Sequence, residues 1–330
     1  MPGKLLIVLY TLLLILTASC GIFTPEALTD DLIKSQYQPF AEDSRAVKLP
    51  GTSALRLTDD LPRLDGATAL YPLYAAFVQA VYPEGEYNYQ PVFFRGPDDT
   101  YQAIKPVAAC SATGYAYQSL IGGDVDIIFC ARPSDEQLRD AAEKGIKLNM
   151  VPIGKEAFVF FVNKRNAVSE LATDQIRGIY SGSILNWKKV GGGNSEIRAY
   201  QRTKNSGSQT MLETIMGETA IKKPLTENVL TFMMDIIELT SAYRNYKNAI
   251  GYSFLFYKTQ MVKNNKIKLL SINGVYPSAE TIQDGSYPFT DYLYAITAKT
   301  ENPNVSRFIE WMLSEEGQYL VKETGYIPLE

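Results

Sequence analysis

Short apolar runs alternate with segments of helical periodicity over residues 48–154. Leu64–Ala67 and Val125–Cys130 are apolar and too short for helices, which is typical of buried strands. Apolar side chains recur at helical spacing over Leu70–Val81 and Thr113–Ile121, and the second of these helices ends at a Gly-Gly pair. Strands that alternate with helices in this way predict an α/β fold with parallel sheets.

The most apolar strand predicted beyond the N-terminal region is Ala157–Asn163, and we expect it to begin a second domain. Downstream, helical periodicity covers Thr173–Tyr180 and Val229–Tyr243, whereas Ile197–Gln201 and Ala249–Phe254 have the composition of strands. The other predicted elements are strands at Leu148–Ile153, Ile267–Ile272 and Tyr292–Thr297, and helices from Pro303 to Leu313 and from Leu320 to Thr324. The 330 residues are enough for two domains of ordinary size.

One strand-to-helix corner carries residues that suit an anion site. Arg202 precedes Ser206-Gly207-Ser208, after which apolar residues recur at helical spacing as far as Met216. Serine is a favoured helix N-cap, and glycine lets a ligand approach the backbone closely. The N–H groups at a helix start attract anions, and arginine adds a permanent charge with several donors. The same pattern also fits an ordinary capped helix with a surface arginine.

Two further corners have the same form. Thr68 follows the first predicted strand and precedes a helix with Pro72 in its first turn, a position that favours proline. Ser111 and Thr113 stand at the start of the next helix, where we interpret Thr113 as a cap. If the three corners face one cleft, their hydroxyl and backbone N–H groups would form an oxyanion site.

Composition excludes most enzymatic chemistry. The chain contains no histidine, which rules out a Ser-His-Asp triad, a Cys-His pair and a histidine-ligated zinc site. It also lacks a G-x-S-x-G elbow and a Walker phosphate loop. Hydrophobic residues make up 46% of the chain and charged residues 21%, so we expect a packed core. The net charge of −4 disfavours nucleic-acid binding, and local groups must attract any bound anion.

The N-terminus has the features of a secretion signal. Lys4 precedes an apolar run over residues 5–16, which is short for a membrane span but suits a signal-peptide core. Small residues then lead to Cys20, as in a bacterial lipobox, although the lipobox leucine lies one position further from the cysteine. We therefore predict a signal peptide over residues 1–19, lipidation of Cys20 and a tether over residues 20–47. A plain secretory signal with an unmodified cysteine is the alternative.

Two cysteines follow Cys20 in the chain. Cys110 and Cys130 each lie at the end of an apolar segment that could be a strand. Outside the cytoplasm a disulfide between them is permitted. Two buried free thiols also fit the sequence, because the sequence gives no distance between the two residues.

An ordered set of motifs from residue 60 onward resembles the phosphate-type substrate-binding proteins of bacterial ABC importers, in their lipoprotein form. The matching segments are Asp65–Ala69, Cys110–Gly114, Arg132–Pro133, Pro152–Asn163, Ile176–Trp187, Arg202 with Ser206–Ser208, Phe308–Gly317 and Gly325–Pro328. Cys110 and Ala112 depart from the glycines of the family's Gly-Ser-Gly-Thr-Gly loop, and Ser208 replaces a threonine. One such motif would be weak support, whereas this order over most of the chain is specific.

The resemblance implies an α/β fold of the type II periplasmic-binding-protein class, in which two α/β lobes are joined by two crossovers. Residues 48–154 and 288–330 are expected to form lobe 1, and residues 155–287 are expected to form lobe 2. The crossovers would lie near residues 154–157 and 285–290. Such a protein closes over an anion by a hinge motion, has no enzymatic activity and needs no cofactor.

The resemblance also implies a ligand and its contacts. The expected ligand-binding residues are Thr68, Ala69, Ser111, Arg132, Arg202, Ser206, Gly207 and Ser208. The expected ligand is inorganic phosphate or a similar oxyanion, held in the cleft and delivered to the permease subunits of an ABC importer. The chain is expected to be a monomer, anchored outside the cytoplasm to the cell membrane by lipid, with no nucleic-acid partner. A surface-anchored anion sensor or interaction module without coupling to transport is the alternative function.

One departure concerns the choice of anion. Relatives that select phosphate often carry an aspartate two residues after the ligand arginine, where it accepts the proton that phosphate has and sulfate lacks. Lys204 occupies this position here. A buried acceptor rejects a ligand that has no proton to donate, so its loss leaves selectivity against sulfate open. Asp65 is the alternative acceptor.

Overall fold

The structure, a computed structural model, describes residues 30–90, 92–95, 101–104, 106–245 and 247–329. The predicted signal peptide, the predicted lipidation site Cys20 and the first part of the predicted tether lie outside these residues. Over the ranges described, no helix has the length and apolar character needed to cross a membrane.

Most of the predicted helices begin and end close to the limits expected from the sequence. The α-helices are α1 (Asp30–Ser35), α2 (Tyr71–Val81), α3 (Thr113–Gly122), α4 (Asp135–Glu143), α5 (Thr173–Ser181), α6 (Gly207–Met216), α7 (Met233–Ser241), α8 (Ala279–Gln283), α9 (Asn304–Met312) and α10 (Glu315–Thr324). Pro72 lies in the first turn of α2, as predicted. Ser134 caps α4 through a capping box, in which its hydroxyl accepts from the Gln137 N–H at 3.2 Å.

Most of the strands are short, but one of them is longer than any of the helices. They are β1 (Leu64–Gly66), β2 (Val92–Arg95), β3 (Tyr101–Ile104), β4 (Ile127–Cys130), β5 (Asn149–Asn163), β6 (Glu170–Leu171), β7 (Arg198–Ala199), β8 (Gln201–Arg202), β9 (Val229–Leu230), β10 (Ala249–Phe254), β11 (Ile267–Leu269), β12 (Ser271–Ile272) and β13 (Thr290–Thr297). The main sheet has the order β1-β4-β13-β5-β10-β7, and β11 also pairs with β5. Smaller pairs are β12 with β6, β2 with β3, and β8 with β9.

The main sheet is mixed, so the prediction of parallel sheets was wrong in part. β1 pairs with β4 in parallel, and β10 pairs with β7 in parallel. β13 is antiparallel to both β4 and β5, and β5 is antiparallel to β10. Strand and helix alternation specifies parallel pairing only between strands joined by a helix. The chain returns to the sheet late, through β13, and this long-range return sets the antiparallel pairs of β13 with β4 and β5.

The long strand β5 links the two halves of the main sheet. Its residues Asn149–Ala157 pair with β13, and from Phe158 onward it pairs with β10 and β11. The sequence predicted two separate strands here, at Leu148–Ile153 and Ala157–Asn163, whereas the structure has one. We call β1, β4, β13 and the start of β5 the first half of the sheet, and β7, β10, β11 and the end of β5 the second half.

One predicted helix is shorter than expected. Helical periodicity was predicted over Val229–Tyr243, but the helix α7 begins only at Met233. Val229 and Leu230 instead form β9, which pairs in parallel with Gln201 and Arg202 of β8. A short run of apolar residues is compatible with a helix or a strand. Here the run forms a strand because β8 is available to pair with it.

The core of the first half of the sheet is built on α2. Phe77 is fully buried, and its ring contacts Phe129 of β4 at 6.2 Å and Trp311 of α9 at 5.7 Å between centroids. Tyr74 stacks on the same Phe129 ring at 4.8 Å. Burial of one such side chain stabilises the fold by about 1.5–3 kcal/mol. This packing fixes the start of α2, which carries the first predicted ligand corner, against the end of β1.

The described part of the predicted tether, residues 30–47, is folded against the protein body. It contains α1, and Ile33, Tyr37 and Ala46 are buried. The sequence of this segment is polar on average, which led to the tether prediction. The few apolar residues of this segment are irregularly spaced, so the sequence shows no helical or strand periodicity. Their burial is nevertheless enough to hold the segment against the core of the protein.

Gly251 in the middle of β10 should not tolerate a side chain. A Cβ atom there would lie 2.5 Å from Ile236, 2.7 Å from Phe161 and 2.8 Å from Thr240. We expect Gly251→Ala to lower the free energy of unfolding by about 1–3 kcal/mol, because packed interiors do not absorb an extra carbon without strain. Urea unfolding measures this change. Gly193→Ala is the control, since nothing lies within 4 Å of its Cβ position, and equal stability of the two variants would contradict the prediction.

Candidate anion site

The helix α6 begins as the sequence predicted. Ser206 is its N-cap, and the Ser206 hydroxyl accepts from the Gln209 N–H at 3.3 Å. Gly207 and Ser208 are the first two residues of the helix and are buried. The first N–H groups of a helix have no partner inside it, so this start offers donors to a ligand.

Arg202 is held in place by main-chain carbonyls of the last residue of β9 and of the residue after it. Its Nε donates to the Leu230 carbonyl at 3.1 Å, and its Nη2 donates to the Thr231 carbonyl at 2.7 Å. Its backbone N–H donates to the hydroxyl of Tyr252 at 2.8 Å. Burial lowers the pKa of Arg202, but a guanidinium remains charged at any physiological pH. The site therefore contains a fixed cation.

Several polar atoms near these corners are buried and have no hydrogen-bond partner among the described residues. They are Nη1 of Arg202, the hydroxyls of Ser208 and Tyr71, and Oγ1 of Thr210. Arg202 keeps some surface exposure as a residue, whereas its Nη1 atom is covered. An unpaired buried donor costs about 1–3 kcal/mol, and more if it is charged. A ligand with several acceptor oxygens would remove this cost.

The first corner lies in a short 3-10 turn, Thr68–Leu70, between β1 and α2. Ala69 is buried, and its carbonyl accepts a short hydrogen bond from the hydroxyl of Tyr326 near the end of the chain. Thr68 and Ala69 are the first residues of the turn, so their N–H groups have no partner within it. The turn is thus tied to α2 on one side and to the C-terminal segment on the other.

Asp65 joins the first corner to the second. Its Oδ1 accepts from the N–H groups of Gly66 at 2.7 Å and Ser111 at 2.8 Å, and its Oδ2 accepts from the Ser111 hydroxyl at 2.5 Å. The sequence suggested Asp65 as an alternative proton acceptor for a ligand. Its carboxylate is instead engaged in holding the Ser111 loop. Since the Ser111 proton points to Asp65, the hydroxyl oxygen can still accept a hydrogen bond.

Ala112 follows Ser111 in a backbone conformation that favours glycine. Its φ is 74° and its ψ is 161°. Side chains other than glycine are strained in this region by about 1–3 kcal/mol. The family that this sequence resembles has a glycine at this position. Ala112 therefore keeps the backbone conformation of the loop but is strained in it.

The corner at Ser111 and Thr113 contacts the corner at Ser206–Ser208, which lies in the other half of the sheet. A Cβ atom at Gly207 would lie 3.1 Å from Oγ1 of Thr113, so the start of α6 approaches the start of α3 directly. Together with the Asp65–Ser111 contact, this brings all three predicted corners to one place. Thr113 is the first residue of α3 and is buried, and the N-cap is Ala112, so the interpretation of Thr113 as the cap was wrong.

Arg132 is engaged by Asp291 of β13. Its Nε and Nη2 donate to the two carboxylate oxygens at 2.8 and 2.5 Å, a bidentate pair that raises the pKa of Arg132. The pairing engages Nε and Nη2 of the guanidinium with a residue of the sheet. Contact between Arg132 and a ligand remains a prediction.

Further contacts hold the two halves together beside the corners. The Ser134 hydroxyl donates to Oδ1 of Asn205 at 2.9 Å, and Nε2 of Gln137 donates to the Asn205 carbonyl at 3.4 Å. Lys204 forms an ion pair with Glu136 in the first turn of α4. Lys204, which occupies the position of the family's acidic acceptor, therefore bridges the halves at the surface.

Sequence reasoning missed the residues that join the two halves beside the corners. Asn205 has a φ of 64°, a left-handed conformation in which asparagine is enriched among residues with a side chain. That enrichment, between a strand and a capped helix, was the one available signal for its role. Glu136 looked like an ordinary acidic residue in a first helical turn, because only the folded structure brings it to Lys204.

The two internal cysteines are free and buried. The Cys110 thiol lies 3.8 Å from the Gly66 carbonyl, and burial raises the pKa of Cys110 to about 12. A thiol with a raised pKa is a poor nucleophile at neutral pH. Of the two alternatives from the sequence, the structure has the free thiols.

A continuous sheet in two halves, with three helix starts meeting between them, defines a binding protein of the cleft type. Residues 58–316 match the family model described as a PBP superfamily domain. This match covers most of the chain, which therefore belongs to the PBP superfamily. The α/β fold of the type II class, expected from the sequence resemblance, is confirmed.

The chain is similar to curated bacterial proteins. It is 30% identical over 229 residues to the phosphate-binding protein PstS of Staphylococcus epidermidis. The alignment covers 66% of this chain and 68% of the relative. It is 29% identical over 231 residues to the phosphate-binding protein PstS of Staphylococcus aureus strain USA300, with 67% and 68% covered.

Two solved structures share the fold. An ABC-type phosphate transport receptor from Vibrio cholerae aligns with a TM-score of 0.56 and 18% identity, over 83% of this chain and all of the other. A phosphate-binding protein from Stenotrophomonas maltophilia aligns with a TM-score of 0.55 and 13% identity, over 84% and 91%. At such low identity, the likeness concerns the fold alone.

Proposed function

We propose that this protein captures inorganic phosphate, or a similar oxyanion, between its two halves and delivers it to an ABC importer. The observation that carries the proposal is the buried Nη1 of Arg202, which has no partner among the described residues. The Ser208 hydroxyl at the same helix start is also buried and unpaired. Similarity to relatives named phosphate-binding proteins supports phosphate as the oxyanion.

The proposed ligand contacts come from all three corners. Arg202 supplies the charge, and the start of α6 at Ser206, Gly207 and Ser208 supplies backbone N–H groups and hydroxyls. The other contacts are the N–H groups of Thr68 and Ala69, the Ser111 loop, and Arg132 if its guanidinium leaves Asp291 in part. Each charge-assisted hydrogen bond contributes about 1.5–3 kcal/mol. After the cost of association, roughly micromolar affinity, about −8 kcal/mol, is expected.

The proposed function divides the chain into two lobes. Lobe 1 comprises residues 48–154 and 288–330, and lobe 2 comprises residues 155–287. The switch in β5 pairing at Ala157 and Phe158, and the start of β13 at Thr290, support crossovers at these points. Opening would separate the Asn205 and Lys204 contacts from α4, and closure would restore them around the anion.

The proposed location is outside the cytoplasm, at the cell membrane. A lipid on Cys20 would hold the protein there after removal of residues 1–19, and a single molecule would dock on the permease subunits. The support for this arrangement is the N-terminal sequence pattern and the resemblance to importer lipoproteins.

Calorimetric titration of the purified, ligand-free protein tests the function. We expect phosphate to bind with roughly micromolar affinity. We expect sulfate to bind within about tenfold of phosphate, because Lys204 replaces the acidic acceptor and its ammonium pairs with Glu136. Binding of neither anion would refute the proposal and favour a surface module without anion transport.

A further inference from the structure

The segment before the first strand is bonded to both halves of the sheet. We call residues 30–37 the N-terminal strap. Asp30 and Lys34 are one helical turn apart in α1, so their side chains share a face. Ile33 on that side is fully buried, and Lys34 keeps only 9% exposure. The strap thus presents one negative and one positive side chain to the protein rather than to solvent.

Lys34 and Asp31 attach the strap to the first half. The Lys34 ammonium donates to the Cys110 carbonyl at 3.5 Å, one residue before Ser111 of the second corner. It also lies 5.2 Å from the centre of the Tyr89 ring, and the Tyr89 hydroxyl donates to the Asp31 carbonyl at 3.1 Å. The strap therefore reaches the loop that carries a predicted ligand residue.

Asp30 attaches the strap to the second half. Its Oδ1 accepts from the hydroxyl of Tyr257 at 2.7 Å, and Tyr257 follows β10 in the chain. Asp30 also interacts electrostatically with Arg202. The strap is consequently bonded to both halves, at positions that flank the corners where the anion is proposed to bind.

The charges near Arg202 indicate what Asp30 contributes to the site. Among the described residues, no carboxylate lies within 4 Å of Arg202 to form an ion pair with it. The carboxylates of Asp30 and Asp235 both act electrostatically on Arg202 and favour its charged form. A covered cation without an anion nearby is costly, so the negative charge of Asp30 offsets part of that cost.

We propose that Asp30 is an affinity-setting residue of the anion site: its carboxylate stands in for the ligand's charge, and an arriving anion displaces the strap. This inference rests on the proposed function, since it concerns the same cleft. Two negative groups in a poorly solvated cleft repel each other, and this repulsion opposes the burial of Ile33 and Tyr37 that, together with the polar bonds, holds the strap in place. The strap thereby competes with the anion at Arg202, and affinity is lower than Arg202 alone would give.

The test compares the wild type with Asp30→Asn and with Asp43→Asn, an exposed acidic residue further along the same segment. Both changes remove one negative charge, but only the first removes it from the cleft. Calorimetric titration is carried out with inorganic phosphate and with sulfate. We expect Asp30→Asn to bind both anions about tenfold more tightly than the wild type, and Asp43→Asn to match the wild type within about twofold.

Amide hydrogen exchange supplies a second readout. On addition of saturating phosphate, residues 30–37 of the wild type should exchange faster, while the loops at Ser111 and Gly207 should exchange more slowly. In Asp30→Asn, residues 30–37 should exchange faster than in the wild type even before phosphate is added. Slower exchange of residues 30–37 on binding would overturn the proposal, because the strap would then close over the anion.

The outcomes separate this inference from the proposed function. If the wild type binds phosphate and Asp30→Asn binds it equally well or more weakly, the inference fails alone. Weaker phosphate binding with unchanged sulfate binding would make Asp30 a proton acceptor for phosphate instead. If the wild type binds neither anion but Asp30→Asn binds phosphate, the inference about Asp30 and the anion site stands, whereas the proposed capture of phosphate by the wild type fails. If neither protein binds either anion, both the function and the inference fail.

Discussion

Replacing Arg202 with alanine should weaken phosphate binding by about 100-fold or more, close to abolition at micromolar ligand. The variant loses the fixed cation and the unpaired Nη1 donor at the site. Two charge-assisted hydrogen bonds at about 1.5–3 kcal/mol each amount to a loss of about 3 kcal/mol or more, which corresponds to that factor. Calorimetric titration of the ligand-free variant measures the loss directly.

Two companion variants separate a binding effect from damage to the fold. Arg198→Ala removes an exposed arginine of β7 in the same half, whose Nη1 donates to Asn245 at 3.1 Å, and it should keep wild-type affinity. Arg202→Lys keeps the charge but loses the planar fork, so its affinity should fall between those of the wild type and Arg202→Ala. If Arg202→Ala unfolds like the wild type and still binds micromolar phosphate, the site lies elsewhere.

Glu156→Gln should remove a fall in stability that the wild type shows as the pH rises. Glu156 lies in β5 next to the switch in pairing, and burial raises the pKa of its carboxyl to about 8. The N–H groups of Ala157 at 3.0 Å and Phe256 at 3.4 Å donate to Oε1 and oppose this rise, but Oε2 is buried without a partner. The protonated form is therefore the one that the fold accommodates.

The sign of the pH effect follows from proton linkage. In an unfolded chain a glutamate has a pKa of about 4.3, so between this value and about 8 the native state binds more protons. Stability must then fall as pH rises through this window, by about 2–5 kcal/mol from pH 5 to pH 8.5. Glutamine cannot ionise, so Glu156→Gln should be more stable than the wild type at pH 8.5, with a small difference at pH 5.

Urea unfolding at a series of pH values measures this difference. Glu143→Gln, at an exposed position in α4, is the control and should follow the wild-type pH profile. Other groups that titrate contribute equally to the wild type and the variant, and they cancel in the comparison. A Glu156→Gln profile parallel to that of the wild type would show that Glu156 is ionised in the native state at neutral pH.

The sequence alone determined the local architecture and the residues of the candidate site. The Ser206 cap and the position of Pro72 were both predicted and are confirmed. Such features involve residues three or four positions apart, so the chain itself supplies both partners. The motif order was sufficient to identify the family, and the three predicted corners do meet.

Only the tertiary structure decided the pairings between distant residues. Asp30 bonds to Tyr257 at a separation of 227 residues, Arg132 bonds to Asp291 at 159, and Ser111 bonds to Asp65 at 46. The mixed sheet has the same origin, because β13 enters between β4 and β5 from far along the chain. The sequence does not show whether a polar side chain is hydrated or is hydrogen-bonded to another residue. Which of them become buried partners depends on how the packed core positions the strands and loops that carry them.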